Sequence, residues 1–390
     1  MTVSAPRHSG HAHLEYGAVT LSAGGLRLLA DPGQAVPMSE YHSQLLVNGR
    51  GRERSNLKQP MLGAVREDAL TVSVPVDFTN AFALSFFGAP GYSGIPCGRP
   101  GLISGKRIVT LVKASDGIPA YFLISDRVRT ERGSEFEQLF TADQGMTVTA
   151  EKDGSLRIGE MIRKPVFRST RPDDAAEWTV SAPIRMDSCY VHVFARSSAP
   201  VELEINGKKY HLTFLQTPSR PETWQWRKLR LKRDFFRIPA DFRKPCRIVL
   251  KSRALIYCIA FSKKTDLDCH PDAAVDALPL RIAEARRTGS GWKTFQPSDA
   301  FLRLIPLAGK PEAAMTRRIF NTRFHGQLRV VLPQGIFRQT GETAEFLTMA
   351  YPASADMEQP RIGDHKLEWK SCIDEITVDK NQIKVRRIRK

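Results

Sequence analysis

Residues 10–33 read GHAHLEYGAVTLSAGGLRLLADPG, and their pattern sets the fold class. Residues 18–21 and 26–30 are short aliphatic or β-branched runs, parted by a Gly24-Gly25 turn signal. The same unit recurs along the chain: residues 44–47, 70–76, 107–112 and 120–125 are rich in Val, Ile, Leu or Thr and bounded by Gly, Pro, Asn or Asp. Few stretches carry a helical apolar period. The best helical window, residues 273–287, is interrupted by Pro279 and predicts at most a short helix. Many short strands separated by turn residues predict a mainly β protein of antiparallel sandwich architecture.

At roughly 150 residues per domain, a chain of 390 residues has room for two or three domains. Composition turns polar over residues 157–174, and a fresh β-rich block then runs over 177–264. Inside it VELEINGKKY, residues 201–210, alternates about Asn206-Gly207, the strongest short hairpin signal. A Pro-, Asp- and Ala-containing stretch over 265–298 reads as linker, and strands resume at 301–306, 328–332, 344–350 and 383–388. The predicted organisation is a large sandwich begun by residues 1–165, a smaller jelly-roll-like sandwich inserted over 166–268, and a linker with the large sandwich's remaining strands over 269–390.

Lys and Arg number 58 against 41 Asp and Glu, a formal charge of +17, which favours polyanionic partners: acidic polysaccharide, nucleic acid or anionic lipid. No nucleic-acid reading module is recognisable, and no apolar run approaches the roughly 20 residues that cross a bilayer. Neither a nucleic-acid partner nor a membrane span is expected. The six cysteines, Cys97, Cys189, Cys246, Cys258, Cys269 and Cys372, form no CxxC pair, which argues against a zinc ribbon or thioredoxin-like site and leaves an incidental disulfide open. The opening residues MTVSAPRHSGHAH have no apolar signal-peptide core, so no export address is expected from them. Phosphate loop, GxSxG and HExxH motifs are absent from the sequence.

The sharpest chemical feature is Gly10-His11-Ala12-His13, with Asp31 after the second strand pattern and His42 in Tyr41-His42-Ser43. On an extended segment His11 and His13 project from one face about 6.6 Å apart. That spacing suits two separate jobs or one shared metal. His13, Asp31 and His42 supply two imidazoles and a carboxylate, a set that suits Zn²⁺ when a fourth group completes it. The other reading of the same residues is a group of hydrogen-bonded surface histidines.

The first segment, followed by YHSQLLVNGRGR (41–52), KRIVTLVKASDGIPAYFLISDRV (106–128) and FEQLFTAD (136–143), resembles the sandwich half of the heparinase II/III family of polysaccharide lyases. AEFLTMAYP, residues 344–352, is similar to the family's closing strands. The resemblance spans roughly residues 8–150 and 300–390. It implies β-elimination on uronate-containing acidic polysaccharide, which needs a base near C5, an acid near the leaving oxygen and a polar clamp on the carboxylate. It assigns His11 as catalytic base or its partner, and His13, Asp31 and His42 as ligands of a mainly structural zinc. It also implies work in the periplasm or outside the cell.

This chain departs from the family pattern in several places. Glu15 stands where an Asp is usual, His42-Ser43-Gln44 where His-Asn-Thr is usual, and Asn48 where Asp is common. The family carries its catalytic Tyr and carboxylate-neutralising Asn on an α/α toroid ahead of the sandwich, which is not in this sequence. The expectation is therefore a sandwich portion, active when completed by a toroid from a separate polypeptide or from upstream sequence; the alternative is a non-catalytic acidic-glycan-binding protein.

The 177–264 block is similar to accessory carbohydrate-binding jelly rolls. In that reading Trp224 and Trp226 stack on sugar faces while Arg227 and Arg230, with Arg220, Lys228, Lys232, Arg233 and Arg237 nearby, hold sulfate or carboxylate groups. The competing reading places both tryptophans in the sandwich core. His192 and His211 read as packing or surface residues, His325 has no evident partner, and residues 384–390 alternate like a charged edge strand.

Overall fold

The computed structural model describes residues 1–4, 15–32, 38–51, 61–79, 102–196, 199–214, 224–231, 234–322 and 328–390. Among these the helical elements are three-residue 3-10 turns, and everything else regular is strand. No helix among the described residues is long and apolar enough to cross a membrane. The mainly β sandwich reading holds. The chain divides into two units, one of Met1–Gly159, Asp299–Arg318 and Leu332–Lys390, the other of Glu160–Ser298 and Ile319–Val331.

The first unit is organised about three long antiparallel strands, Leu102–Val112, Tyr121–Thr141 and Leu328–Ala353. The middle one pairs with both neighbours, so Ile124 stands opposite Val109 on one side and Thr348 on the other. Alternation sends successive side chains to opposite faces. Val109, Ile124, Phe136, Phe140 and Phe346 pack against Leu21, Leu26 and Leu28 of the N-terminal strands Ala18–Ala23 and Leu26–Leu29. On the reverse face Ile108, Leu123, Leu347 and Met349 pack against Leu367, Trp369, Ile376 and Ile383 of a four-stranded sheet, whose members are Arg361–Gly363, Lys366–Glu368, Cys372–Val378 and Ile383–Arg389.

Residues 328–332 and 344–350, read from sequence as separate strands, are parts of one 26-residue strand. Gly335 and Gly341 lie between those two stretches. At Gly341 the ladder shifts register and φ is +149°, a backbone state reserved for glycine. The strand bends there instead of stopping.

A buried ion pair ties the N-terminal segments to this sheet. Arg107 and Asp126 are 1% and 0% exposed and face each other across the ladder. The guanidinium donates to both carboxylate oxygens at 2.7 Å, and its remaining nitrogen, Nη1, donates to the carbonyls of Gly17 at 2.8 Å and Ser43 at 3.0 Å. Gln138 donates to Asp126 at 2.8 Å and accepts from Thr348 at 2.7 Å. Every polar group of the cluster is thus satisfied locally, as burial at this depth requires.

The second unit is a smaller antiparallel sandwich whose strands run in the spatial order Ala277–Arg281, Ile256–Ser262, Arg185–Ala195, Gln225–Leu231, Lys208–Phe214, Val201–Ile205, Cys246–Ser252, Ala175–Val180, Arg286–Thr288. The predicted hairpin forms, with Asn206 and Gly207 at φ +48° and +85° as a two-residue primed turn requires. Its core includes Trp178, Val191, Val193, Leu203, Leu229, Ile248, Ile259 and Phe261. Residues 265–298 are not bare linker. They carry the strands Ala277–Arg281, Arg286–Thr288 and Trp292–Phe295, and Pro279 is accommodated because its strand lies at the sheet edge, paired only on the Ile256–Ser262 side. The short helix this window was expected to hold at most is reduced to 3-10 turns at Pro271–Ala273 and Ile282–Glu284. The described cysteines, Cys189, Cys246, Cys258, Cys269 and Cys372, are free thiols, and Cys97 lies outside the described residues.

Removing one partner of the buried pair strands the other charge. Arg107→Met is expected to cost about 3–5 kcal/mol in denaturant unfolding, and Arg107→Met with Asp126→Leu to recover much of that loss.

Candidate functional site

Three of the segments singled out by sequence converge in the first unit. Glu15, Asp31 and His42 each offer a ligand atom, and these atoms all lie within 4.8 Å of one another. Glu15 is 3% exposed and His42 1%, with His42 Nδ1 3.4 Å from Glu15 Oε1. Asp31 is half-buried at the end of the Leu26–Leu29 strand, where Arg27 donates to its carbonyl at 3.0 Å and pairs with Asp143 at 3.0 Å.

The backbone around these groups is held by a dense set of hydrogen bonds. Tyr16 donates its N–H to Gln44 Oε1 at 3.0 Å, while Gln44 Nε2 donates to the Ser39 carbonyl at 2.7 Å. Val19 donates to the Ser43 carbonyl at 3.1 Å, and Thr141 donates to Ser43 Oγ at 2.9 Å. The Tyr16 hydroxyl donates to the Leu45 carbonyl, and burial holds its pKa well above the usual phenol value. Ser43 and Gln44, which depart from the family's pattern, therefore do the bracing beside His42. Arg107 completes it, since its two carbonyl partners lie two residues after Glu15 and one after His42. Tyr41 sits half-buried next to His42, its phenol raised by burial and by Glu40, with Arg318 opposing.

Of the expected ligand set the structure brings Asp31 and His42 together. His13, like His11, lies outside the described residues. Glu15 joins the cluster, although sequence comparison marked it only as a longer acid in an Asp position. Its spacing from His13 was the available signal, because positions two apart on an extended segment share a face. Two carboxylates and an imidazole within this distance are a donor set that fits a divalent metal ion, zinc included.

The residues expected to bind sugar in the second unit divide by burial. Trp224 is 1% exposed, stacked on Phe194 at 5.8 Å with the rings 1° apart, and donates Nε1–H to buried Glu160 at 2.6 Å. It is a core residue and not a sugar platform. Arg227 is 3% exposed and shares the core-facing side of the Gln225–Leu231 strand with Leu229; burial pushes its pKa down to about 10. It too is withdrawn from any surface ligand. Trp226 and Arg230 alternate to the other face and are half-buried. The Trp226 ring lies edge-on to Phe194 at 5.3 Å and donates to the Cys269 carbonyl at 2.8 Å. Tyr190 and Arg237, the guanidinium 4.5 Å from the ring centroid, make an aromatic–cation pair that sequence reading missed because its members are 47 positions apart.

His192 is a buried packing residue, its Nε2 3.1 Å from the Lys264 carbonyl, and burial lowers its pKa to about 4. His211 is a surface residue, 3.7 Å from Glu202, and His325 lies outside the described residues.

No family model matches this chain, and no curated protein matches it. Among solved structures it is similar to the heparan sulfate lyase HepC from Pedobacter heparinus, at 10% identity and a TM-score of 0.43, over 98% of this chain and 38% of that one. A mutant form of the same enzyme gives a TM-score of 0.39 at 10% identity over the same shares, and a heparinase III gives 0.29 at 10% identity over 75% of this chain and 38% of that one. The chain thus spans 38% of the length of these enzymes, and the likeness is a distant one in fold.

Two outcomes follow from the placement of these side chains. Trp224→Ala is expected to cost about 3–5 kcal/mol of unfolding free energy, read from denaturant curves, because it empties a core position. Between pH 6.5 and 4 the unfolded chain protonates His192 while the folded chain does not, so stability falls as pH drops through that window. His192→Gln is expected to flatten that part of the stability–pH curve, measured as unfolding midpoints at both ends.

Proposed function

We propose that this chain is the sandwich portion of a polysaccharide lyase that cleaves uronate-containing acidic polysaccharide by β-elimination. The observation that carries the proposal is the approach of Glu15, Asp31 and His42 to within 4.8 Å, since the ligand segments named by the family resemblance are remote in sequence and meet in space. Asp31 and His42, with His13 and Glu15, would hold zinc. When bound, the ion supplies a fixed positive charge that locks the segment after His11, the Asp31 turn and the His42 turn into one rigid rim.

In the elimination itself His11 takes the C5 proton of the uronate. The electrons of the broken C–H bond form the C4–C5 double bond, the C4–O bond breaks, and the departing sugar oxygen receives a proton. The acid for that last transfer and the clamp on the uronate carboxylate belong, in this reading, to an α/α toroid partner. The net charge of +17 supports attraction of a polyanionic chain to the sandwich.

Metal analysis of the purified chain tests the site. One zinc per chain is expected, retained by the parent protein and lost from His42→Ala and Asp31→Asn. Glu15→Gln is expected to weaken zinc by about 10–100-fold, the range for groups that orient a ligand, if Glu15 acts through His42, and to abolish it if Glu15 coordinates directly. Stoichiometry unchanged in both His42→Ala and Asp31→Asn would remove the assignment. With a toroid partner added, unsaturated product should appear as rising ultraviolet absorbance; retention on an acidic polysaccharide matrix without that rise would favour the non-catalytic glycan-binding reading.

A further inference from the structure

Lys106 and Arg107 are consecutive on the Leu102–Val112 strand, so their side chains leave opposite faces of the sheet. Arg107 serves the Glu15–Asp31–His42 side. Lys106 opens onto a cavity of about 250 Å³ on the reverse side, built between the 62–66 and 75–77 segments and the turn at Lys380-Asn381. Three cations line it: Lys106, Arg66 and Lys380. None of the three makes an ion pair among the described residues, in contrast to their neighbours. Glu67, next to Arg66, is taken by Lys113 at 2.6 Å, and Asp379, next to Lys380, lies 3.8 Å from Lys384. Asp77 stands directly across the ladder from Lys106 but accepts the Thr79 N–H at 3.0 Å. Glu67 and Asp379 are therefore engaged elsewhere, while Asp77 lines the cavity with the three cations and leaves it a positive excess.

Beside Asp77 and Asn381, the rest of the wall is apolar. Ile108 is 3% exposed and Leu62 52%, and Pro75 packs so close to Gly63 that a Cβ on the glycine would come within 2.7 Å of the proline ring. A small cavity lined by three cations, one carboxylate and several apolar side chains carries a net positive charge, and suits a ligand of matching build: one ring with a C–H face and two or more anionic substituents. Its volume is below the roughly 300–1,000 Å³ of drug-sized sites, which fits a single residue of a longer chain.

We propose that this cavity is an accessory binding site for an acidic saccharide residue, with carboxylate or sulfate groups on Lys106, Arg66 and Lys380 and the ring face on Pro75 and Leu62. The choice of a saccharide over another ring-bearing polyanion rests on the polysaccharide reading above; the location rests on the cavity alone. Because Lys106 leaves the sheet on the side away from Arg107, the site holds a second stretch of polymer and takes no part in the elimination. Charge-assisted contacts from three directions would orient the residue, while the apolar wall distinguishes a sugar from a bare ion.

The test is calorimetric titration of the full chain with a uronate- and sulfate-bearing disaccharide, a neutral disaccharide and inorganic sulfate, all at one ionic strength. The variant Lys106→Gln/Arg66→Gln/Lys380→Gln is compared with Lys209→Gln/Lys244→Gln/Lys293→Gln, which removes equal charge elsewhere; thermal melting checks that both remain folded, and Lys106→Gln alone is the fallback. The acidic disaccharide is expected to bind the parent protein and to lose about tenfold or more with the first variant, as loss of charge-assisted contacts implies, with under threefold change for the second. Zinc content should be the same in all three proteins. Equal losses in both variants, or sulfate binding as tightly as the disaccharide, would reduce the cavity to general electrostatics and overturn the proposal. A chain that generates unsaturated product while the first variant leaves disaccharide affinity untouched would overturn the accessory site and leave the lyase reading standing; a chain without zinc or product that still shows the tenfold loss would do the reverse.

Discussion

The pairing of Arg107 with Asp126 is the constraint on which the first unit's site depends. Two charges at this depth carry a large desolvation cost, offset only when their geometry is good and their remaining donors are filled. The fork-to-fork contact uses two guanidinium nitrogens, and the third has to find acceptors. It finds them in the carbonyls of Gly17 and Ser43, which belong to separate chain segments. Satisfying an arginine thus brings the Glu15 segment to the His42 turn, and the candidate metal site is a by-product of where those acceptors come from.

Much of this was legible in the residues. Asp31 at the end of a strand pattern and His42 after a tyrosine were visible as types and positions, and they do meet. Arg107 was visible only as one letter in KRIVTLV, because a buried cation in a strand is indistinguishable in sequence from one facing solvent. Glu15 was read as a displaced acid; only coordinates show its carboxylate beside the imidazole. His11 and His13 lie outside the described residues, so the resemblance alone speaks for them.

The second unit shows the same limit from the other direction. Trp224-Gln225-Trp226-Arg227 combines aromatics and cations in the manner of a sugar-binding surface, yet both of its faces are packed. Trp224 stacks in the interior with Phe194 and bonds a buried glutamate, while Arg227 is drawn in beside Leu229. Composition told which residues were present, and packing on both sides of the strand decided which of them a ligand can touch. The stretch between 332 and 344, left out of the strands read from sequence, likewise belongs to a single long strand, with a register shift at Gly341.

Strand phase has an evolutionary corollary. Because neighbouring positions 106 and 107 report to different sides of one sheet, adding or deleting a single residue ahead of them would exchange their surroundings, driving a lysine inward and expelling the guanidinium. Point replacements can tune either side separately, but length changes in this run strike both together. Descendants of this protein should therefore vary in loop size at the strand ends and keep the count between Leu102 and Val112 unchanged.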